Sequence, residues 1–440
     1  MSDVEPDPTQ QTPRALRARR FVGSLAVDRT PFRVSPDYRR IWWSELISQA
    51  GTQITIVAVY VQVFALTRSA AMVGLVGLVQ FVPLVFATVL GGPLIDRIDR
   101  RTILFASQLG FVAASSTLLV GAVIGNPPLI LVYGAAALAA GCSGFANPTR
   151  GSIVPNLIPL HMLSSAVALN QVMWNAAQVV GPALGGIIIA RGGLAWAYGA
   201  DVATFAAAIY ATLRLKPQIP RREGGAARTG LAAIREAFAF VRGKRVLQAT
   251  FVVDLVAMIF GMPRALFPIL ALTQFHRGTE VVGGLFSAIA VGAVLGASTS
   301  GWVRRVRRQG LAVLVAVAVW GGCIALFGSV GSLPLAFVLL AAAGAADVIS
   351  AVFRGTILQS TVTDAVRGRL SALHILVVTG GPRLGDLEAG LVASAFTPTF
   401  SVVSGGIACI AGVIVVGALM PEFVRYLAPG APAGTPEPST

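Results

Sequence analysis

The chain has 440 residues, of which 55% are hydrophobic and only 12% are charged, and its mean hydropathy is +0.76. Soluble globular domains usually carry about 25% charged residues, so this composition excludes a water-soluble fold. The formal net charge of +15 raises nucleic acid as a partner. Whether that partner is real depends on where the basic residues lie along the chain.

Twelve apolar runs follow one another, and each is long enough for one membrane crossing of roughly 20 residues. They cover 41–66, 71–95, 102–125, 128–147, 163–190, 193–213, 247–273, 280–303, 310–330, 333–353, 370–395 and 397–420. The runs are continuous rather than alternating, and a backbone in lipid is satisfied only in helices and closed barrels. We therefore predict an all-α polytopic membrane protein with twelve transmembrane helices.

The basic residues lie almost entirely in connections on one side of the predicted membrane. Outside the spans, only Arg68, Arg191 and Arg277 fall on the opposite side. By the positive-inside rule, both termini are expected in the cytoplasm of a multi-pass protein of the plasma or inner membrane. The same distribution explains the net charge without a nucleic-acid partner, and the polar start of the chain shows no removable signal peptide.

Two halves are predicted on either side of a charged connection at 214–246. Within it, Leu231, Ile234, Phe238 and Val241 recur at helical spacing, which indicates an amphipathic helix on the membrane surface. The predicted organisation is a basic N-terminal segment (1–40), an N-terminal six-helix bundle (41–213), the connection (214–246), a C-terminal six-helix bundle (247–420) and a disordered tail (421–440).

The two halves also repeat each other. The tetrapeptide at Arg150–Ile153 is echoed at 354–357, and Gly181-Pro182-Ala183-Leu184-Gly185 is echoed at 381–385. Two matches at nearly equal offsets indicate a duplicated, pseudo-symmetric six-helix unit. Duplicated bundles that rock about a site near the midplane are a recurrent architecture of transporters.

A Gly/Asp/Arg-rich loop follows the second span, and its members are Gly92, Asp96, Arg97, Arg100 and Arg101. This loop resembles the signature loop of the major facilitator superfamily. The resemblance implies a gating role, in which Asp96 meets the N-terminal dipole of the eleventh helix in one state and leaves it in the other. Asp99 stands where the family usually has glycine.

The fifth span carries a second pattern, formed by Gly181, Pro182, Gly185 and Gly186. Proline bends a helix and glycines allow tight packing against a neighbour. The pattern resembles the fifth-helix motif of exporters and drug–proton antiporters. Over roughly 36–420 the order of segments resembles the enterobactin-exporter branch of the superfamily. The resemblance implies proton-driven export of a siderophore or, second, a drug-like compound as in multidrug resistance.

Charged residues inside spans are costly and mark candidate sites, at about 2.5–3.5 kcal/mol each near mid-bilayer. The proton-coupling candidates are Asp254, Asp386 and Glu388. Asp254 has no neutralising neighbour on its own helix, so it needs a partner on another helix or a proton. Arg383 and Asp386 are three apart, close enough to pair on one helix face. Asp386 and Glu388 point to nearly opposite faces.

A central cavity is predicted from polar residues that share helix faces or carry charge within spans. Its candidate residues are Glu45, Gln49, Thr52, Gln171, Asn175, Gln178, Arg264, Asp347 and Arg383. The chain has no phosphate-binding loop, no metal-ligand spacing and no nucleophile elbow, so we expect neither an enzyme nor a cofactor or metal.

The expected partners are a small-molecule substrate, protons and the lipid bilayer, and the expected state is a monomer. Three other functions remain open at this point: a lipid or lysophospholipid flippase, a proton-coupled importer, and a membrane sensor that transports nothing.

Overall fold

The computed structural model describes residues 28–220, 231–361 and 364–427, and these ranges are almost entirely helical. In the N-terminal half (28–220) the helices are α1 (Thr30–Val34), α2 (Pro36–Thr67), α3 (Ala70–Ile95), α4 (Arg100–Ile124), α5 (Leu129–Leu157) and α6 (Leu163–Arg214). In the C-terminal half (231–427) they are α7 (Leu231–Arg242), α8 (Arg245–Phe260), α9 (Phe267–Thr273), α10 (Thr279–Thr299), α11 (Gln309–Ser329), α12 (Leu333–Thr361), α13 (Asp364–Ala395), α14 (Pro398–Leu419) and α15 (Pro421–Val424).

The prediction of an all-α membrane fold is confirmed for the described residues, where the β-structure is an isolated bridge between Arg308 and Leu427. Short 3-10 turns occur at Leu160–Met162, Arg264–Leu266 and Ser300–Arg305. Most of the predicted N-terminal segment (1–27) and of the tail (428–440) lies outside the described residues.

Ten helical stretches of the described chain are long and apolar enough to cross a membrane. One of them, Leu160–Arg214, has 55 residues, about twice the length of a single crossing. It breaks at Gly193, whose φ of 80° suits a residue without a side chain, at the boundary predicted between spans 163–190 and 193–213. If the two arms of α6 count as two crossings, the ten stretches supply eleven. The helix α13, which is not among the ten, would then be the twelfth.

Local capping explains where several helices begin. The Ser35 side chain accepts a hydrogen bond from the Tyr38 amide at 3.1 Å, and Pro36 fills the first position of α2. Thr397 caps α14 in the same way, with Pro398 behind it. Side-chain caps satisfy amides that a helix start leaves unpaired, so these boundaries are set by the sequence itself.

The two halves meet along two helix pairs, α3 with α13 and α6 with α10. Both pairs touch through glycines: a Cβ added to Gly74 would lie 2.9 Å from the Cα of Gly390, and one added to Gly186 would lie 3.1 Å from the Cα of Gly283. Such spacing brings backbones together as closely as small-residue motifs allow. We call these contacts the α3–α13 seam and the α6–α10 seam.

Both seams lie at one end of the helix bundle. Gly74 and Gly283 are in the first turns of α3 and α10, and Gly186 lies shortly before the Gly193 break. We call this end the far side. The opposite end, where α2 begins and α14 ends, is the termini side.

The connection between the halves is fastened at both ends. On the N-terminal half, the amide of Gln218 donates to Oδ1 of Asp99 at 2.8 Å, and its carbonyl accepts from the amide of Arg100 at 3.3 Å. On the C-terminal half, α7 buries Ala237 and Val241 against α8 and α13. Phe238 of α7 is exposed, and the side chains of Leu231 and Ile234 lie outside the described part of the chain.

Substitution G283A is expected to lower the thermal stability of the purified protein in detergent. The new Cβ would collide with the carbonyl oxygen of Pro182 and lie 3.0 Å from the Cα of Gly186, and overpacking costs typically about 1–3 kcal/mol. The control is G322A, because a Cβ at Gly322 meets nothing within 4 Å. A G283A protein that melts at the same temperature as G322A would contradict the tight seam.

Candidate functional site

A polar face of α6 points at the space between the halves. Pro182 and Gly186 touch α10, and Gln178, Asn175 and Gln171 continue the same face toward the termini side at steps of three or four residues. Gln171 donates to Oδ1 of Asn175 at 3.2 Å, and both Gln171 and Gln178 are exposed. The face is therefore packed against the other half at the far side and uncovered toward the termini side.

An ion pair joins α2 to α5 beside this space. Nε of Arg150 lies 2.7 Å from Oε1 of Glu45, whose side chain is only 6% exposed. Gln49, one turn further along α2, is also buried. Thr52 turns its hydroxyl to the carbonyl of Ser48 in its own helix, at 3.0 Å. In the predicted polar stripe of α2, Glu45 is buried and ion-paired, Gln49 is buried, and Thr52 forms a hydrogen bond within its own helix.

A second ionic cluster joins α8 to α12 in the C-terminal half. Nη1 of Arg354 lies 3.0 Å from Oδ1 of Asp254, and Nη2 lies 3.7 Å from Oδ1 of Asp347. Asp254 and Arg354 are almost completely buried, with side chains 2% and 4% exposed. Two carboxylates therefore share one guanidinium.

The two clusters are related by the internal repeat. Arg150 and Arg354 each begin the repeated tetrapeptide, and each pairs with a carboxylate on the first long helix of its own half. Sequence reasoning ended the spans at 147 and 353, which left both arginines in loops. The structure extends α5 to Leu157 and α12 to Thr361, so the arginines lie inside helices. The repeat itself was the signal that could have found them.

The seventh predicted span is broken. α8 ends at Phe260, and a 3-10 turn at Arg264–Leu266 precedes α9. Pro263 lacks an amide hydrogen and disfavours helix at the residue before it, which accounts for the break. Discontinuous helices expose backbone groups and are a recurrent feature of transporter sites.

The freed backbone takes part in a buried hydrogen-bond node between the halves. The hydroxyl of Tyr60 in α2 donates to Oδ2 of Asp386 at 2.6 Å, and the amide of Ala265 donates to Oδ1 at 3.2 Å. Asp386 is fully buried. Arg383, which the sequence analysis placed beside Asp386 as a possible partner, instead donates from Nη1 to the carbonyl of Thr379 at 2.5 Å. Tyr60 and Ala265 carried no sequence signal.

The third coupling candidate, Glu388, is separate from this node. It is partly buried and lies two residues beyond Asp386 in α13, a spacing that turns the two side chains to nearly opposite faces of the helix. A further buried carboxylate, Asp201 in the second arm of α6, accepts from the hydroxyls of Thr55 and Ser115 at 2.7 Å each.

The Gly/Asp/Arg-rich loop has two parts with different surroundings. Arg100 donates to the carbonyl of Ser152, and Arg101 donates to the carbonyls of Thr212 and Leu213, so both arginines bind helix ends within the N-terminal half. Asp99 caps α4.

The other part is exposed. Gly92 accepts from the amide of Asp96 near the end of α3, and the side chains of Asp96 and Arg97 are exposed. The expected contact of Asp96 involves the start of the eleventh helix. Residues 362–363 and the side chains of 364–369 lie outside the described residues. The gating role of Asp96 stays a prediction.

Comparison with known proteins gives the same picture at the level of the whole chain. The family model described as "Transmembrane secretion effector" matches residues 27–428. The enterobactin exporters EntS of Citrobacter koseri and of Shigella boydii are each 27% identical to this chain, covering 88% of it and 91% of their own length.

Solved structures share the fold at low identity. A POT family transporter in complex with 5-aminolevulinic acid superposes with a TM-score of 0.72 at 10% identity, over 88% of this chain and 97% of its own. A bacterial homologue of the iron transporter ferroportin in the inward-facing state gives 0.68 at 14% identity, over 88% and 98%. Because the family model spans nearly the entire chain, the protein belongs to the transmembrane secretion effector family of the major facilitator transporters.

Proposed function

We propose that this transporter is a proton-driven exporter of a small amphipathic molecule, a siderophore before a drug-like compound, and that it works by alternating access. The observation that carries the proposal is the polar face of α6. This face is packed against α10 at the far side and uncovered at Gln178 and Gln171 toward the termini side. A face that is closed at one end and open at the other is what a carrier needs to load substrate from one side of the membrane.

The placement of the basic residues sets the orientation of the protein in the membrane. The termini side holds nearly all the Lys and Arg of the connections, so in the proposal it is the cytoplasmic side. Substrate would load from the cytoplasm in the state described here. The family description and the enterobactin exporters among the relatives support release to the outside.

The two halves would rock as six-helix bundles about the seams. Glycine contacts bury little side-chain surface, so they can part without the loss of an interdigitated core. In the outward-open state the far side would be open, and Asp96 would close the cytoplasmic side against the start of α13.

The Asp254–Arg354–Asp347 cluster is the proposed coupling site. It has two carboxylates and one guanidinium, with Asp254 and Arg354 buried and the Asp347 side chain 28% exposed. These three side chains are neutral when one carboxyl group is protonated and carry a net negative charge without that proton. The titratable ring of His374 packs on Phe251, one turn before Asp254 in α8. A charge that cannot reach water is costly, and a neutral cluster would favour the conformational return.

The direct test is retention of radiolabelled siderophores and of a fluorescent dye in cells with and without the gene. We expect lower retention with the gene, and a protonophore should abolish the difference. Higher retention with the gene would indicate an importer. No change, combined with scrambling of labelled lipid in liposomes, would indicate a flippase, and no change in either assay would favour a sensor.

We expect Arg354 to be essential for the thermal stability of the folded protein. R354Q leaves the buried Asp254 and the partly exposed Asp347 without their cation, and breaking a buried pair typically costs about 3–5 kcal/mol. The double variant R354Q/D254N should recover part of this loss, because one of the orphaned charges is removed. The measure is thermal unfolding in detergent.

The matched control for that cycle is R245Q. Arg245 and Glu422 are 4.0 Å apart and more than half exposed, so their separation should change stability by at most about 1 kcal/mol. Equal losses in R354Q and R245Q would show that the buried cluster does not hold α8 to α12.

Substitution D254N is expected to uncouple transport from the proton gradient. The amide cannot gain or lose a proton, so proteoliposomes should still exchange substrate down its gradient but should not concentrate it when a pH gradient is imposed. The control is D37N, because Asp37 pairs with Arg40 at the partly exposed start of α2. Unchanged gradient-driven transport by D254N would remove this residue from the coupling mechanism.

A further inference from the structure

The charges at the node between the halves do not balance. Among the described residues, Glu45 is matched by Arg150, and Asp254 shares Arg354 with Asp347. Around Asp386, by contrast, two arginines flank one carboxylate. Arg383 lies one turn before it in α13, and Arg264 directly precedes Ala265, whose amide binds Oδ1 of Asp386. The node therefore has one positive charge too many for a place within the membrane, where an unbalanced charge is costly.

Both arginines also have unused donors. Nε of Arg264 and Nε of Arg383 are buried and have no hydrogen-bond partner within the part of the chain that the structure describes. Arg383 donates one Nη hydrogen bond to the carbonyl of Thr379 in its own helix. This acceptor is neutral, so it does not balance the positive charge of the guanidinium. A guanidinium has five N–H donors in a planar fork that fits the two oxygens of a carboxylate.

Asp386 can balance only one of the two positive charges. Its two oxygens accept from the neutral donors of Tyr60 and Ala265, at 2.6 and 3.2 Å. Both arginine side chains remain partly exposed, so another acceptor can reach them. The surroundings are apolar and aromatic: the ring of Phe286 lies 6.0 Å from that of Tyr60 and 5.0 Å from that of Phe267, centre to centre.

We propose that Arg264 and Arg383 form a binding site for the acidic group of the substrate, which is an amphipathic anion with an aromatic or apolar body. The proposal rests on the proposed transport function and specifies the charge of its cargo. The carboxylate of the ligand would bridge the two guanidinium groups and balance the node, while its body packs on the partly buried ring of Phe286. Charge-assisted pairs of this kind are about twice as strong as neutral hydrogen bonds, so they also set specificity.

The test compares two probes that differ in charge and share one body, radiolabelled naphthalene-2-carboxylate and its uncharged amide, 2-naphthamide. Binding is measured by equilibrium dialysis on the full-length protein in phosphatidylcholine nanodiscs. We expect the wild type to bind the carboxylate about tenfold more tightly than the amide, and R264Q or R383Q to remove that preference. D386N should strengthen binding of the carboxylate, because it raises the positive charge of the node while keeping an oxygen for Tyr60.

The control variant is R191Q, because Arg191 is an exposed arginine near the far-side break of α6 and outside the node. It should retain the preference. Binding of neither probe, equal binding of both, or an undiminished preference in R264Q and R383Q would overturn the proposal. If the glutamine variants fail to fold, the proposal is tested with D386N, which should bind the carboxylate more tightly than the wild type. The charge-keeping R264K and R383K should retain the preference for the carboxylate, and loss of both results would overturn the proposal.

Binding and transport fail separately in this design. Charge-selective binding without efflux in cells would leave the anion site in place and contradict the exporter. Efflux without charge-selective binding would support the exporter and contradict the anion site.

Discussion

The cost of holding a charge away from water governs the arrangement of these helices. A charged side chain within a bilayer needs a partner, and on a helix the partner must come from a neighbouring helix or from one turn away. Arg150 and Arg354 meet this demand by drawing α5 to α2 and α12 to α8. Asp386 meets it with donors from both halves. The ionic groups thus tie particular helices together, and the glycines decide how closely the helices of the seams approach.

Much of the architecture was predictable because its signals are local. Apolar runs mark helices wherever lipid replaces water, Gly192-Gly193 marks the break within α6, and the glycines at 181–186 mark close packing. The need of Asp254 for a distant partner was also predictable, since nothing on its own helix could neutralise it. Its partner was not predicted, because hydropathy ended the tenth span one residue before Arg354 while the helix continues to Thr361.

The node between the halves was beyond the reach of sequence patterns for two physical reasons. Tyr60 and Asp386 are 326 residues apart, and a tyrosine in an apolar run looks like any other core or interface aromatic. The amide of Ala265 becomes available only because the helix breaks, yet Arg245–Thr273 has the continuous hydropathy of an ordinary span. Pro263 was visible, but a proline in a membrane helix does not by itself say which backbone group is released or toward what.

The fastening of the connection at Gln218 and at α7 has a mechanical consequence. From Gln218 to Leu231 the covalent chain can reach roughly 45 Å if fully extended, at about 3.3–3.6 Å per residue. A movement of the halves that keeps these two residues within that length is therefore not limited by the covalent chain. The connection tethers the two halves and does not itself drive their movement. The free-energy difference between the two states must therefore reside in the seams, the node and whatever ligand lies between them.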